Sequence, residues 1–247
     1  MRLLVDLTPI NPALGLAVEE VLLESARQES CETIRIWINE TSIILGRSQS
    51  IAAEVDVEKA QELGIPVLRR ISGGGTVYHY LGNLNVSIAF QKRPELTDVS
   101  SVFRFFGHAL AEGLAALAPK LFSEDNGLYA GGLKVAGAAQ ARRGDAILYH
   151  TTLLVQPAPI PMEGLLLAMR PGYRHEGIAS RPRSTTSLTD HLARTIELDK
   201  VAELIIDTLA SSLGVWPESG QLCQQETEQA AVLLKEKYGS STWNRKF

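Results

Sequence analysis

The chain has 247 residues, 45% of them hydrophobic and 21% charged, with a net charge of −4. That size and composition fit one large soluble domain, and the acidic balance argues against nucleic-acid binding through a broadly basic surface. No apolar run approaches a membrane span. The opening "MRLLVDLTPINPALG" is broken by Asp6 and by prolines instead of forming an export signal, so the expected location is the cytoplasm.

In chain order, "MRLLVDL" reads as a strand. "NPALGLAVEEVLLESARQE" reads as an amphipathic helix, with Asn11 as its cap and Pro12 in its first turn. Cys31 follows; with Cys223 it makes no metal-ligand spacing, and both are expected to be plain buried or half-buried residues. "TIRIWIN" alternates, "SIILG" is a short buried strand, and "DVEKAQELG" is a short helix closed by Gly64. "IPVLRR", "TVYHYL" and "NLNVSIAF" are three more strands, the last two joined by a tight turn at Gly82-Asn83. The strongest helix is "DVSSVFRFFGHALAEGLAALA", capped by Asp98 and burying Val102, Phe105, Phe106, Ala109, Leu110 and Leu114. "LYAGGLKVAGAAQAR" is a hairpin around a glycine turn, and "AILYHTTLLV" is a further strand. A helix near "MEGLLLAM" leads into a polar loop, and two helices, "DKVAELIIDTLASSLG" and "ETEQAAVLLKEKYG", complete the pattern. Hairpin-spaced strands without regular βαβ alternation predict an α+β fold, a mixed and largely antiparallel sheet backed by helices.

The most unusual stretch is "RRISGGGTVYHYLGN", Arg69 to Asn83. Three adjacent glycines let backbone approach a ligand closely and offer consecutive N–H groups to an anion. It is neither a Walker loop nor a dinucleotide fingerprint, since the spacing and the following helix are absent. Because strand neighbours point to opposite faces, only one of Arg69 and Arg70 readily lines the same pocket. The competing reading is a flexible turn with two solvated arginines.

The whole string is more specific. "RRISGGGTVYHYLGNLNVSIAF" resembles the "RRxSGGGxVYHDLGNLNxSF" signature of lipoate–protein ligases, within the biotin/lipoate ligase superfamily. "LYAGGLKVAGAAQARRGDAILYHTTLLV" and "GIASRPRSTTSLTD" resemble two further blocks of that family, in the family's order. The resemblance implies a catalytic-domain fold related to that of class II aminoacyl-tRNA synthetases. It implies a single catalytic domain over 1–247 without the family's C-terminal accessory domain. It implies a two-step reaction: lipoate and ATP, with Mg2+, give lipoyl-AMP, and a lysine of an acceptor lipoyl domain then takes the acyl group. The acceptor class is the lipoyl domain of a 2-oxoacid dehydrogenase or a glycine-cleavage H-like protein. A separate accessory subunit, action alone as a monomer, and octanoyltransferase activity all occur among such short forms. No nucleic acid, membrane or protein-held metal is implied.

By position in these blocks, Lys134 is the catalytic residue, contacting the carboxylate and the α-phosphate. Arg69, Arg70, Ser72, Gly74, Gly75, Val77 and His79 form the wall around the acyl-adenylate. Asn83 and Asn85 hold the glycine loop. Gly137, Ala138, His150 and Thr151 continue the lipoyl pocket, with no general-base role given to either histidine. Gly177, Ile178, Ser180, Arg181 and Arg183 belong to an adenylate loop that also contains Arg170 and Arg174. The sequence departs from the family at Pro182 and Thr185-Thr186, at Tyr80 in place of Asp, and at Thr151 in place of Gly. The last two are expected beside the pocket. An octanoyltransferase needs a placed cysteine nucleophile, and residues 120–180 contain none. A biotin ligase fits the glycine motif less well. A non-catalytic acyl-binding module is countered by the presence of Lys134 with the glycine loop.

Overall fold

The computed structural model describes residues 1–173, 178 and 180–247. Strands β1 (Arg2–Ile10), β2 (Thr33–Asn39), β6 (Asn83–Gln91), β7 (Phe122–Glu124), β8 (Gly127–Ala130), β9 (Leu133–Arg143), β10 (Ala146–Leu154) and β11 (Glu218–Ser219) form one sheet. Its order is β11-β1-β2-β6-β10-β9-β8-β7. Only the β1 pairings with β2 and β11 are parallel; the rest are antiparallel. A small second sheet holds β4 (Val67–Arg69), β3 (Ser42–Leu45) and β5 (Val77–His79), in that order. The α+β expectation is therefore met.

Period-two alternation decides what each face of the large sheet carries. Ile34, Ile36, Ile38, Leu84, Val86, Ile88 and Phe90 point to one side and pack under α4 (Val99–Gly113) and α6 (Leu198–Leu213). The other side carries Arg35, Trp37, Asn39, Asn85 and Ser87 from the same strands, all buried. Over part of it lie α1 (Pro12–Gln28) and α7 (Gln224–Leu233), whose core includes Leu22, Leu23, Ala89 and Leu148. The small sheet has its own core, with Ile43, Leu45, Tyr78, Tyr80, Leu165 and Leu166.

The local signals act as expected at both major helix starts. Asn11 accepts from the N–H groups of Ala13 and Leu14, and Asp98 closes a capping box with Ser101. Phe105 is only partly buried, while the other apolar residues named for α4 are buried.

The tight turn at Gly82-Asn83 is present, with the Asn83 N–H donating to Tyr80 O at 2.9 Å; β5 pairs with β3 and β6 with β2 and β10, so the turn carries the chain from one sheet to the other. Three expectations need correction. "MEGLLLAM" forms two separate tight turns, Met162–Gly164 and Leu167–Met169, because Leu165 and Leu166 must reach the small-sheet core between them. Cys223 is exposed; its Sγ caps α7 by accepting from the Glu226 N–H at 3.4 Å. Finally, a short helix α8 (Ser241–Asn244) follows α7 and docks on β4. Among the described residues no helix is long and apolar enough to cross a membrane.

Candidate active site

The polar face of the large sheet and the small sheet enclose a cavity of about 410 Å³. The alternation of β6 and β10 supplies its floor: Asn85, Ser87, His150 and Thr152 all line it, beneath Glu19 of α1. Two hydrogen-bond chains fix this floor.

The first chain runs from Ser87 to the glycine stretch. Ser87 Oγ donates to Glu19 Oε1 at 2.6 Å, and His150 Nδ1 meets the same oxygen at 2.7 Å. His150 Nε2 lies 2.7 Å from Ser72 Oγ, which accepts from Arg70 Nε at 2.9 Å. Arg70 then grips the loop, donating from Nη2 to the carbonyls of Gly73 and Gly75 at 2.6 and 2.7 Å and from Nη1 to Ile44 O at 3.1 Å. Burial pushes the Arg70 guanidinium down to about 10, with Glu19 opposing the shift, so it stays a cation at neutral pH. Burial also pushes the Glu19 carboxyl up, but attraction to His150 and hydrogen bonds from His150 and Ser87 outweigh it and hold the group below its ordinary range. Gly74 has φ +86, a conformation that side chains rarely adopt, which is why the stretch needs glycine there.

The second chain joins Asn39, His79, Thr152 and Asn85. Thr152 spends its one proton on Asn85 Oδ1 (2.8 Å), so His79 Nε2 must donate to Thr152 Oγ1 (3.0 Å) and His79 Nδ1 must accept from Asn39 Nδ2 (3.0 Å). Burial, helped by Arg70 and His150 and opposed by Glu19, pushes His79 down to about 3. The ring is neutral.

Lys134 enters from β9, the strand beside β10 in the same sheet. It follows the Gly131-Gly132 turn and sits at a bulge in β9, where Val135 is the extra residue between the pairs Leu128↔Ala136 and Tyr129↔Lys134. A Cβ on Gly127 would lie 2.8 Å from Lys134 Cε, and one on Gly137 3.4 Å from its Nζ, so two glycines make room for the stem. Among the described residues its ammonium has no hydrogen-bond or ion-pair partner. Burial lowers its pKa, and the charge of Arg183 lowers it further against the pull of Asp125. Lys134 also anchors the loop: its N–H donates to Ser184 O (2.9 Å), and its carbonyl accepts from the Thr186 N–H (3.0 Å). This brings Arg181 and Arg183 into the cavity wall, with Ile178 and Ser180. Leu154, Met162, Leu166, Ala168 and Met169 add apolar side chains to the lining, with Met162 Sδ accepting from Thr185 Oγ1 at 3.8 Å.

Of the residues singled out from the sequence, Arg70, Gly74, Gly75, Val77, His79, Asn85, Lys134, Gly137, Ala138, His150, Thr151, Ile178, Ser180, Arg181 and Arg183 line this one cavity. Others do not. Arg69 faces away, fully buried, and donates to the carbonyls of Gly46, Arg47, Gln49, Trp243 and Asn244. Strand alternation sends its side chain to the C-terminal segment. Ser72 lies behind the wall and acts through His150 and Arg70. Asn83 accepts from the Tyr80 N–H (2.8 Å) and so holds the turn between the sheets; among the described residues neither it nor the cavity-lining Asn85 makes a side-chain hydrogen bond to the glycine stretch. Tyr80 also turns from the cavity, its hydroxyl donating to Gln156 O at 2.8 Å, whereas Thr151 lines the cavity and donates to Gly137 O at 3.1 Å. Arg170 pairs with Asp56 at 2.6 Å. Gly177 and Arg174 lie outside the described residues. The sequence did not flag Glu19 or Glu54, which read as ordinary helix carboxylates, nor Trp37, whose place in the alternating "TIRIWIN" was the available signal. Among the described residues no three His, Cys, Asp or Glu side chains cluster to hold a metal.

Comparison with known proteins follows the same lines. The family model described as lipoyl protein ligase A/B catalytic domain matches residues 11–210. A putative lipoate-protein ligase A of Aeropyrum pernix is 31% identical over 92% of this chain and 86% of its own length. The octanoyltransferase LipM of Symbiobacterium thermophilum is 27% identical over 93% of each. Among solved structures, the bi-partite lipoate protein ligase of Thermoplasma acidophilum, described with its E2 lipoyl domain, superposes with a TM-score of 0.86 at 28% identity, over 99% of this chain and 95% of its own. A lipoate-protein ligase A bound with ATP gives 0.82 at 27% identity, over 99% and 98%.

Proposed function

Because the chain belongs to the lipoyl protein ligase A/B catalytic-domain family, we propose that it activates lipoate with ATP and transfers the lipoyl group to a lysine of a lipoyl-domain protein. The observation that carries this is the cavity's mixed lining. Its apolar side chains suit an acyl chain. Lys134, Arg181 and Arg183 line the same cavity with no carboxylate paired to them among the described residues. Such a site suits two anions that would otherwise repel each other.

In the first step a lipoate carboxylate oxygen attacks the α-phosphorus of ATP, and the bond to the β-phosphate breaks to release pyrophosphate. Lys134, held at the bulge, stabilises the charge that develops between carboxylate and phosphate. In the second step the acceptor amine attacks the acyl carbon, loses a proton, and AMP leaves. Arg70 keeps the glycine backbone in place through both steps. Mg2+ arrives with the nucleotide, and no residue of the chain is assigned to it, since no metal-holding cluster is found among the described residues.

The likeness to an octanoyltransferase supports a second reading, in which the acyl group comes from a carrier protein. A transferase of that kind needs a thiol at the acyl carbon. Cys31 and Cys223 both lie outside the cavity lining, which favours the ligase. The test is transfer itself. The purified chain is mixed with a lipoyl-domain acceptor and either lipoate plus ATP or octanoyl-carrier protein, and the acceptor lysine is followed by mass spectrometry. Modification only with lipoate and ATP supports the ligase; modification only from the carrier supports the transferase. No modification until a separate accessory subunit is added places this chain in a bi-partite enzyme.

A further inference from the structure

Glu54, at the end of the short helix α2 (Ile51–Glu54), is fully buried and lines the cavity, yet no cation pairs with it among the described residues. Buried carboxylates are normally neutralised by a partner charge. This one is satisfied by neutral donors that converge from two separate segments. Its Oε1 accepts from the Ser180 N–H and the Tyr173 hydroxyl, each at 2.9 Å. Its Oε2 accepts from the Ser180 hydroxyl, and Thr76 Oγ1 lies 3.0 Å from both Oε2 and Gln49 Oε1, so its single proton is shared between the two acceptors. Thr76 directly follows the three glycines, and Ser180 directly precedes Arg181.

The neighbouring contacts make Ser180 the centre of the junction. Its Oγ accepts from the Thr76 N–H at 2.9 Å and from Gln49 Nε2 at 3.1 Å. With both lone pairs occupied, the hydroxyl proton has to be given away, and Glu54 receives it. Space is matched too: a Cβ on Gly75 would come within 3.0 Å of Ser180 Oγ, so the last of the three glycines lets the loop close against the strand.

We propose that Glu54 is a positioning residue that locks the Arg181–Arg183 wall to the glycine stretch and so sets the affinity for the nucleotide. The proposal rests on the ligase reading for the identity of that ligand, but the lock itself does not. Charge-assisted hydrogen bonds are roughly twice as strong as neutral ones, which explains a carboxylate here in place of an amide. Glu54→Gln is the informative variant. Wherever its amide oxygen is placed, one nitrogen–donor encounter remains, because Ser180 offers N–H to one carboxylate oxygen and O–H to the other.

Two measurements decide it. First, hydrogen exchange of the ligand-free chain: in Glu54→Gln the 180–186 amides should exchange at least tenfold faster, with 33–39 and 83–91 unchanged. Equal rates in wild type and variant overturn the proposal. Second, titration with a non-hydrolysable ATP analogue and, separately, with lipoate. Glu54→Gln and Ser180→Ala should each weaken the analogue about tenfold, leave lipoate within twofold, and combine to no more than either alone. A loss shared equally by both ligands, or no loss, also overturns it. If wild type binds no analogue, the ligase reading fails instead, and hydrogen exchange still decides whether Glu54 is the lock.

Discussion

The two walls of the cavity are built by different physics. The strand wall, with Glu19, Ser87, His150, Ser72 and Arg70, is a chain of buried hydrogen bonds anchored in the large sheet and α1. The loop wall, Ser180 to Thr186, is attached through the Glu54 lock, the backbone bonds to Lys134 and the Thr185 hydroxyl on Met162 Sδ. The strand wall resists rearrangement because any break strands a buried polar group. The loop wall has less core beneath it, so small changes move it without unfolding the chain. This teaches that one cavity can join a wall held by buried hydrogen bonds to a wall held by a few attachments, with Lys134 where the two walls meet.

Variants can sharpen or break that contrast. The largest effect should come at the meeting point. Lys134→Ala should slow acyl-adenylate formation by about 10² to 10³ while the melting temperature stays within a few degrees; a fall under tenfold would remove Lys134 from the chemistry. Next, Glu19→Ala leaves His150 and Ser87 without their shared acceptor in a buried setting. It should cost about 3 kcal/mol in denaturant unfolding, and an unchanged midpoint would show that the strand wall is not a structural unit. Arg181→Ala and Arg183→Ala should each raise the KM for ATP about tenfold at unchanged stability. A loss of stability there would erase the distinction between the walls.

The smallest effect is a pH slope. His79 is held near 3 in the folded chain against about 6.5 when unfolded, so the unfolded state binds more protons below 6.5. Stability should therefore fall as pH drops, by about 1 kcal/mol between 6.5 and 5.5. His79→Gln should flatten this part of the curve, and an equally steep curve would assign the slope to other groups.

The strand wall was largely legible in the sequence. "NLNVSIAF" shows its polar and apolar faces directly, and the caps at Asn11 and Asp98 fixed the helix starts. The same alternation warned that Arg69 and Arg70 diverge, although the family motif placed both in the wall. Other features depended on contacts that no local pattern carries. A period of two tells which face a residue takes but not which sheet its strand joins, so the tight turn at Tyr80–Asn83 gave no sign that its two strands part into different sheets. Glu54 is distinguished by partners far along the chain, Ser180 among them, 126 positions away in sequence. Glu19 is distinguished by His150, 131 positions away. The short edge strands β7 and β11 have too few residues to show a period.

The most direct test of the account is intermediate formation without any acceptor. The purified chain would be incubated with Mg-ATP and lipoate, octanoate or biotin separately, and the products examined for acyl-AMP by mass spectrometry, with Lys134→Ala in parallel. The account predicts lipoyl-AMP from wild type, none from biotin, and at least a hundredfold less from the variant. Equal acyl-AMP from wild type and Lys134→Ala would contradict it.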